Sequence, residues 1–223
     1  FRYASREYRI RNVLDGIVLP KKNKPEIAVM NKKQQLRLEK YLDERPSVTS
    51  VGIAISMYMG LRIGEVCALQ WKEIDLEKRV LTVSKTIQRV QCRTGSKQTK
   101  LIITEPKSES SKRTIPIPDC LLPLLRRFKD NGEVYVVSGR KKPVEPRTMQ
   151  YRFAKILHNA DLPSFHYHSL RHLFATRCVE LGFDVKTLSE ILGHSSVEVT
   201  LNRYIHSDME RKRTCMSLLS KCA

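Results

Sequence analysis

Residues 48–65 read VTSVGIAISMYMGLRIGE, a stretch that is apolar nearly all round until it reaches a glycine and then an arginine. A helix without a polar face must be buried, so Val48 to Met59 predicts a helix in the core of a globular domain. Gly60 can adopt the left-handed conformation that ends a helix, and a second short helix is expected at once from Ile63 to Leu69. Between the two helices lies Arg62, a cation that packing explains poorly.

The chain before this stretch contains a basic linker. Residues 19–25, LPKKNKP, carry two prolines and three lysines, a composition that favours an extended cationic segment. Because the chain begins at Phe1 and not at Met, we expect a fragment of a longer protein, with a domain boundary near Pro25. Beyond that boundary, Asn31 followed by Gln34 is typical of a capping box that begins a helix.

After the short helix the pattern changes from helical to extended. Residues 80–87 have strand character, residues 92–100 are polar, and residues 101–104 return to strand character, which predicts a hairpin with a sizeable polar tip. Residues 113–117, RTIPI, alternate as a further strand, and their proline favours an edge position. We therefore expect a small antiparallel sheet.

The rest of the chain is mostly helical. Residues that favour helix ends predict helices over 119–129, 146–157, 169–181, 185–192 and 208–221. The expected fold class is therefore α+β: mostly helical, with a small antiparallel β-sheet and a long hairpin insertion.

The composition favours a polyanionic partner. Lys and Arg number 41 among 223 residues, against 23 Asp and Glu, so the formal net charge is +18. The positive charge is spread along the whole chain, which suits a folded surface that follows nucleic acid. Charge alone leaves open a basic, solvated surface with no specific ligand.

The sequence also argues against other classes of protein. Its longest nearly apolar run, Val51 to Leu61, has 11 residues, whereas a membrane-spanning helix needs about 20, and no signal-peptide pattern opens the chain. Six cysteines are scattered without a close C-x-x-C pair, so neither a disulfide framework nor a thiolate zinc site is indicated. We expect reduced thiols in a cytoplasmic protein.

Four separate segments carry side chains that are unusual for their positions. Arg62 is the first, and its alternative explanation is simple pairing with Glu65 on the next turn. Lys107 is the second, in a polar connection where a lysine is ordinarily a solvated charge. Neither residue alone indicates a function.

The other two segments contain histidines and a tyrosine. In HYHSLRH, at 166–172, His168 and Arg171 are three residues apart and can share one face at a helix start. Three histidines this close could hold a metal, but no carboxylate or thiolate completes a ligand set. His194 precedes Tyr204 by ten residues. A tyrosine among apolar neighbours is ordinarily a core ring with its hydroxyl hydrogen-bonded.

Together the segments contain what one reaction needs. A phosphodiester under attack accumulates negative charge on its non-bridging oxygens, which the planar guanidiniums of Arg62 and Arg171 can hold. A tyrosine hydroxyl, with an ordinary pKa of about 10, must lose its proton as it attacks, and the leaving 5′ oxygen must gain one. Histidines and a lysine can carry both protons. The product is a covalent 3′-phosphotyrosine, which another strand's 5′-hydroxyl can reseal without ATP or metal.

The order Arg, Lys, His-x-x-Arg, His, Tyr resembles that of the tyrosine recombinases, or phage-type integrases. The motifs GLRIGE, HSLRH and LGH are highly specific in this order and spacing. The resemblance implies a catalytic domain over 26–206, with residues 1–25 as the end of a core-binding domain and its basic linker, and 207–223 as a C-terminal helical tail. The long hairpin resembles integrases of conjugative transposons more than the compact Xer recombinases.

The resemblance implies a role for each residue of the pattern. Arg62 and Arg171 match the two arginines that clamp the phosphate, and Tyr204 matches the nucleophile. Lys107 matches the hairpin lysine that protonates the leaving 5′ oxygen. His168 matches the residue usually assigned to proton transfer with the tyrosine.

Supporting positions follow from the same resemblance. His194 matches the position that hydrogen-bonds the scissile phosphate, and Glu65 matches an acidic position that supports the site. No cofactor and no metal are implied. The candidate DNA contacts outside the catalytic set are Lys21, Lys22, Lys24 and Arg113.

The implied function is site-specific DNA recombination, the integration or excision of a mobile element in a bacterial cytoplasm. The implied partner is double-stranded DNA at the element ends and the target site, encircled by a C-shaped clamp within a homotetramer. In that assembly residues 207–223 would pack on a neighbouring subunit, although packing in cis would serve their apolar residues equally.

Two other functions compete with this interpretation. Residues 185–192, a glycine turn and residues 196–205 resemble a helix-turn-helix, which would suit a non-catalytic DNA-binding regulator. That function leaves Arg62 and Lys107 without a role. A type IB topoisomerase would share the cleavage chemistry without pairing two sites, but the basic linker favours recombination.

Overall fold

The computed structural model describes residues 6–8, 30–91, 99–105, 112–194, 196–198, 200, 213 and 217. Within these ranges it contains seven α-helices, five strands and two short 3-10 turns. The helices are α1 (Lys32–Glu44), α2 (Val48–Met59), α3 (Ile63–Ala68), α4 (Leu122–Phe128), α5 (Pro146–Asn159), α6 (Ser169–Glu180) and α7 (Val185–Leu192). The strands are β1 (Ile74–Asp75), β2 (Val80–Val83), β3 (Thr86–Gln91), β4 (Thr99–Thr104) and β5 (Arg113–Pro116). The predicted class, mostly helical with little sheet, is confirmed.

Helix α2 is the centre of the fold, as its apolar sequence predicted. Ten of its 12 residues are buried, and it packs against α3, α4, α5 and α6. Tyr167, just before α6, is buried with its hydroxyl donating to the Gly52 carbonyl at 3.0 Å and hydrogen-bonded to the Ser56 hydroxyl at 2.9 Å. These bonds fix the beginning of α6 against α2.

Local capping signals begin two helices as expected. The Asn31 side chain accepts from the Gln34 N–H and the Gln34 side chain accepts from the Asn31 N–H, each at 2.9 Å, which completes the predicted capping box of α1. Asp184 caps α7. The helix predicted over 119–129 begins instead with a 3-10 turn, in which Asp119 accepts from Arg79 at 2.9 Å, and the α-helix starts at Leu122.

The strands form two antiparallel sheets where one was expected. Strands β1, β2 and β5 form the first in that order, with Leu81 opposite Ile115, and β5 lies at the edge as its proline predicted. Strands β3 and β4 form a separate hairpin in the register Ile87 to Ile103. The division arises because β3 packs on α3 and not beside β2. The polar tip, residues 92–98, lies outside the described residues.

The terminal segments are described only at a few positions. The expected end of the core-binding domain and its linker, residues 1–25, are described at 6–8, and the predicted tail helix is described at 213 and 217. None of the described helices is long and apolar enough to cross a membrane.

Candidate active site

Arg62 lies at the junction of α2 and α3, where Gly60 ends α2 with a φ of +69°. The Arg62 backbone N–H donates to Glu65 Oε2 at 2.9 Å, and its Nη1 donates to Glu65 Oε1 at 2.8 Å. Simple pairing with Glu65 is therefore present, but it does not use the whole side chain. Arg62 Nη2 also donates to the Gly193 carbonyl at 3.0 Å, and 38% of the side chain remains exposed.

Arg171 is held inside the protein by two helix ends. It is 2% exposed, and its Nη1 and Nη2 donate to the Gly60 carbonyl at 2.9 Å and the Leu192 carbonyl at 2.8 Å. Those carbonyls end α2 and α7, where intrahelical partners run out and the helix dipole is negative. A buried guanidinium is tolerated there because both of its terminal nitrogens donate to carbonyls and its charge faces negative dipoles. Its orientation is fixed between the two helices.

Arg113, the first residue of β5, joins the same cluster. Its Nε donates to the Ile191 carbonyl at 2.6 Å, and its Nη2 and Nη1 donate to Glu65 Oε2 at 2.9 Å and Oε1 at 3.2 Å. The side chain is 7% exposed. Arg113 was expected to contact DNA, and its contacts with Glu65 and Ile191 were not predicted. The alternation of the strand could have predicted that the Arg113 side chain points inward, because residues 113 and 115 share a face and Ile115 is buried.

Glu65 is the anion of the cluster. It is 4% exposed and pairs with both Arg62 and Arg113. Burial would raise its pKa, but the hydrogen bond and charge of Arg113, and then those of Arg62, hold the pKa below its ordinary value of 4.5. Glu65 is therefore ionised at neutral pH. Arg62 and Arg113 contribute two positive charges against this one carboxylate, so the described group is positive even before Arg171 is added.

The three arginines converge on the end of α7. Arg113 binds the Ile191 carbonyl, Arg171 binds that of Leu192, and Arg62 binds those of Gly193 and, at 3.4 Å, Leu192. Gly193 has a φ of +63°, and a Cβ there would lie 3.0 Å from Arg113 Nη1, so both conformation and space favour glycine. This glycine lets the guanidiniums meet the helix end.

The two expected histidines lie on the elements that the arginines join. His194 directly follows Gly193, and its Nδ1 is 2.8 Å from Thr200 Oγ1. His168 precedes α6, the helix of Arg171, and its ring meets the His172 ring edge-on at a centroid distance of 4.6 Å. Thr200 and His172, which the sequence analysis gave no role, thus contact candidate site residues.

The remaining expected site residues lie outside the described residues. They are Lys107, Tyr204, Lys21, Lys22 and Lys24, and their roles stay predictions. The segment that carries Lys107 is bracketed by Glu105 and Lys112, whose side chains form an ion pair at 2.8 Å.

A cavity of about 350 Å³ adjoins the cluster. Its charged and histidine lining consists of three cations, Lys112, Arg113 and Lys186, one carboxylate, Glu190, and His194. A basic cleft beside a histidine suits an anionic ligand such as a phosphate. Within the described ranges, no three His, Cys, Asp or Glu side chains group together as metal ligands would.

Comparison with known proteins agrees with this geometry. The Phage integrase family model matches residues 28–211. A tyrosine recombinase XerC-like protein of Caldanaerobacter subterraneus subsp. tengcongensis is 33% identical over 180 residues, which cover 72% of this chain and 46% of that protein. The transposase from transposon Tn916 of Enterococcus faecalis is 26% identical over 235 residues, which cover 96% of this chain and 55% of that protein. The chain thus spans about half the length of these relatives.

The fold is similar to that of a transposon integrase. The structure of the Tn1549 transposon integrase in complex with a circular intermediate DNA superposes with a TM-score of 0.77 and 26% identity, covering 98% of this chain and 75% of the other. The predicted likeness to transposon integrases is confirmed. A family match over most of the sequence, together with the arginine cluster at its centre, means that the chain belongs to the phage integrase family.

Proposed function

We propose that this chain is the catalytic part of a site-specific recombinase that integrates or excises a mobile DNA element. The observation that carries the proposal is the arrangement of Arg62, at the junction of α2 and α3, and Arg171, in α6, which both donate to the Leu192 carbonyl. Two guanidiniums held side by side, one of them 38% exposed, can bind the non-bridging oxygens of one phosphate.

In the proposed reaction Tyr204 is the nucleophile. Its hydroxyl oxygen forms a bond to phosphorus and gives its proton to His168, while the bond from phosphorus to the 5′ oxygen breaks and Lys107 protonates that oxygen. The products are a 3′-phosphotyrosyl linkage and a free 5′-hydroxyl. Attack by the 5′-hydroxyl of another strand reverses these steps and religates the DNA.

The other site residues hold the phosphate during this exchange. Arg62 and Arg171 neutralise the charge that grows on its oxygens, and His194 donates a hydrogen bond to it. Glu65 supports Arg62 through the two hydrogen bonds already described.

The substrate we propose is double-stranded DNA at the element ends and the target site. The net charge of +18 and the basic cleft beside His194 support it. We assign the additional backbone contacts to Lys21, Lys22 and Lys24. Because cellular DNA is the substrate, we place the protein in the bacterial cytoplasm.

The test is covalent capture of DNA. Wild-type protein and its Tyr204→Phe variant are incubated with nicked duplexes of candidate element ends, in which the cleaved fragment diffuses away and traps the intermediate. A denaturant-resistant adduct in the wild type alone, mapped to Tyr204 on a 3′ phosphate, is expected. Equal adduct in both proteins, or tight salt-sensitive binding without any adduct, would contradict the assigned nucleophile and return the regulator to consideration.

We further propose that four copies assemble on two DNA sites, with residues 207–223 of one subunit packing on its neighbour. Mixing tests this arrangement. A Tyr204→Phe subunit supplies a tail without a nucleophile, and a subunit lacking residues 207–223 supplies a nucleophile without a tail. Strand exchange by the mixture, and by neither protein alone, is expected. An inactive mixture with both proteins folded and bound to DNA would indicate packing in cis.

A further inference from the structure

The guanidinium of Arg113 uses all three of its nitrogens on protein atoms. Nη1 and Nη2 face the two oxygens of Glu65, and Nε faces the Ile191 carbonyl. This geometry needs a planar fork with donors on two edges, which arginine has and lysine lacks. Arg113 therefore connects β5 to both α3 and the end of α7.

Glu65 depends on Arg113 for its orientation. Oε1 accepts from Arg62 Nη1 at 2.8 Å and Arg113 Nη1 at 3.2 Å, and Oε2 accepts from the Arg62 N–H at 2.9 Å and Arg113 Nη2 at 2.9 Å. Each oxygen is thus held from two sides. Without Arg113 each carboxylate oxygen keeps a single hydrogen bond, from the Arg62 N–H or from Arg62 Nη1, so Glu65 and the Arg62 guanidinium are held less firmly.

The end of α7 depends on the same guanidinium. Arg113 holds the Ile191 carbonyl, which directly precedes the Leu192 carbonyl that Arg62 and Arg171 share. The Arg113 guanidinium also packs directly against Gly193, because a Cβ on that residue would lie only 3.0 Å from Arg113 Nη1. The peptides that lead into His194 are therefore fixed by Arg113.

We propose that Arg113 is a positioning residue for DNA cleavage, which orients Arg62 through Glu65 and places His194 through the end of α7. This proposal rests on the proposed function. It replaces the expected DNA contact of Arg113, because all three guanidinium nitrogens already donate to protein atoms and the positive charge is paired with the Glu65 carboxylate.

The test compares Arg113→Lys with Arg79→Lys. The first keeps the positive charge beside Glu65 but loses the fork. The second makes the same change at a 56% exposed arginine that pairs with Asp119.

The rate constant of adduct formation on nicked DNA is measured in single turnover with saturating protein, alongside DNA affinity and thermal unfolding. Arg113→Lys is expected to lower the rate constant about 10- to 100-fold, as a misplaced catalytic group does, with affinity within about twofold of wild type. Arg79→Lys is expected to match wild type.

A second substrate separates positioning from loss of folded protein. A methylphosphonate at the cleaved position removes one negative oxygen, so cleavage depends less on the arginines. The defect of Arg113→Lys is expected to shrink on this substrate, whereas a reduced amount of folded protein would affect both substrates equally. If Arg113→Lys does not fold, the double variant Glu65→Gln with Arg113→Gln, which leaves neither charge of that pair behind, serves in its place.

The outcomes distinguish this proposal from the proposed function. No adduct from the wild type would contradict both. An adduct from the wild type with the same rate constant in Arg113→Lys, or an equal defect on both substrates, would overturn the positioning role alone.

Discussion

At the scale of single residues, the contacts of the site hold the guanidiniums of its arginines in fixed orientations. Arg171 reaches the ends of two helices at once because its fork presents several donors in a fixed plane. Arg62 keeps one side open to solvent while Glu65 and α7 hold the other. Orientation before the substrate arrives is what makes such groups effective at stabilising charge in a transition state.

Arg171→Lys tests this requirement. A lysine ammonium has a single nitrogen and cannot span the Gly60 and Leu192 carbonyls, so one is left without its donor. Each such loss costs about 1–3 kcal/mol of stability. Adduct formation on nicked DNA is expected to fall about 100-fold or more. Arg177→Lys, on the same helix, is the control and should match wild type. Unaltered cleavage by Arg171→Lys would overturn the clamp.

The ionised state of Glu65 gives the protein a pH-dependent stability. Its pKa is depressed in the folded protein, so folding favours the carboxylate. The stabilisation is fully present above the ordinary value of about 4.5 and is lost as pH falls through the lower folded pKa. The difference in unfolding free energy between wild type and Glu65→Gln, measured by urea denaturation, is therefore expected to shrink as pH falls below about 4.5. A constant difference across that range would contradict the depressed pKa.

At the scale of elements, the site is built where helices end. The end of α2 and the end of α7 both direct carbonyls at Arg171, and left-handed glycines close both helices. Helix ends bring negative partial charge and unsatisfied acceptors without adding an anion that would repel a phosphate. The position of these ends is therefore part of the site.

Gly60→Ala and Gly182→Ala form a matched pair of variants that tests whether the end of α2 is part of the site. Both glycines have positive φ, +69° and +81°, and alanine in that conformation costs roughly 1–2 kcal/mol. A Cβ at Gly60 would also lie 2.5 Å from Phe174 Cδ1, whereas none of the described atoms lies within 4 Å of one at Gly182. Urea unfolding should show the larger loss for Gly60→Ala, with slower DNA cleavage that Gly182→Ala does not share. Equal losses would mean that packing at the α2 end is unimportant.

At the scale of the whole molecule, the positive charges fall into two groups, those on the surface and those of the arginines around Glu65. The cluster around Glu65 is internal, while most of the net charge of +18 must lie on the surface, because lysine and arginine are seldom buried without partners. Under the proposed function, the exposed cations would supply affinity for any duplex, and Arg62 and Arg171 would act on one phosphate.

The dependence of DNA binding on salt concentration measures how many DNA phosphates the exposed cations contact. The logarithm of the binding constant should fall linearly with the logarithm of salt concentration, with a slope of about −0.9 for each duplex phosphate contacted. Fluorescence anisotropy with a labelled duplex gives the slope, and a single strand should give about −0.7 per phosphate. Arg113→Lys should leave the slope unchanged if Arg113 does not contact DNA. A flat response of the wild type would contradict a surface that follows the duplex.

Local sequence determined much of what the structure contains. The capping box of Asn31 and Gln34, the buried helix α2, and the glycines that end α2 and α7 were predicted because each depends on residues within one or two turns. The grouping of Arg62, Arg171 and His194 also followed from sequence, but only through resemblance to a family. Their spacing along the chain does not by itself place them together.

Tertiary structure alone decided the rest. The separation of β3 and β4 from the other strands depends on how β3 packs on α3, which no local pattern shows. The contacts of Arg113 join it to Glu65, 48 positions away, and to Ile191, 78 positions away. A charged residue at a strand start has the same local preferences whether it meets DNA or a buried carboxylate. The choice between them was made by packing, because only packing brings β5, α3 and the end of α7 to one point.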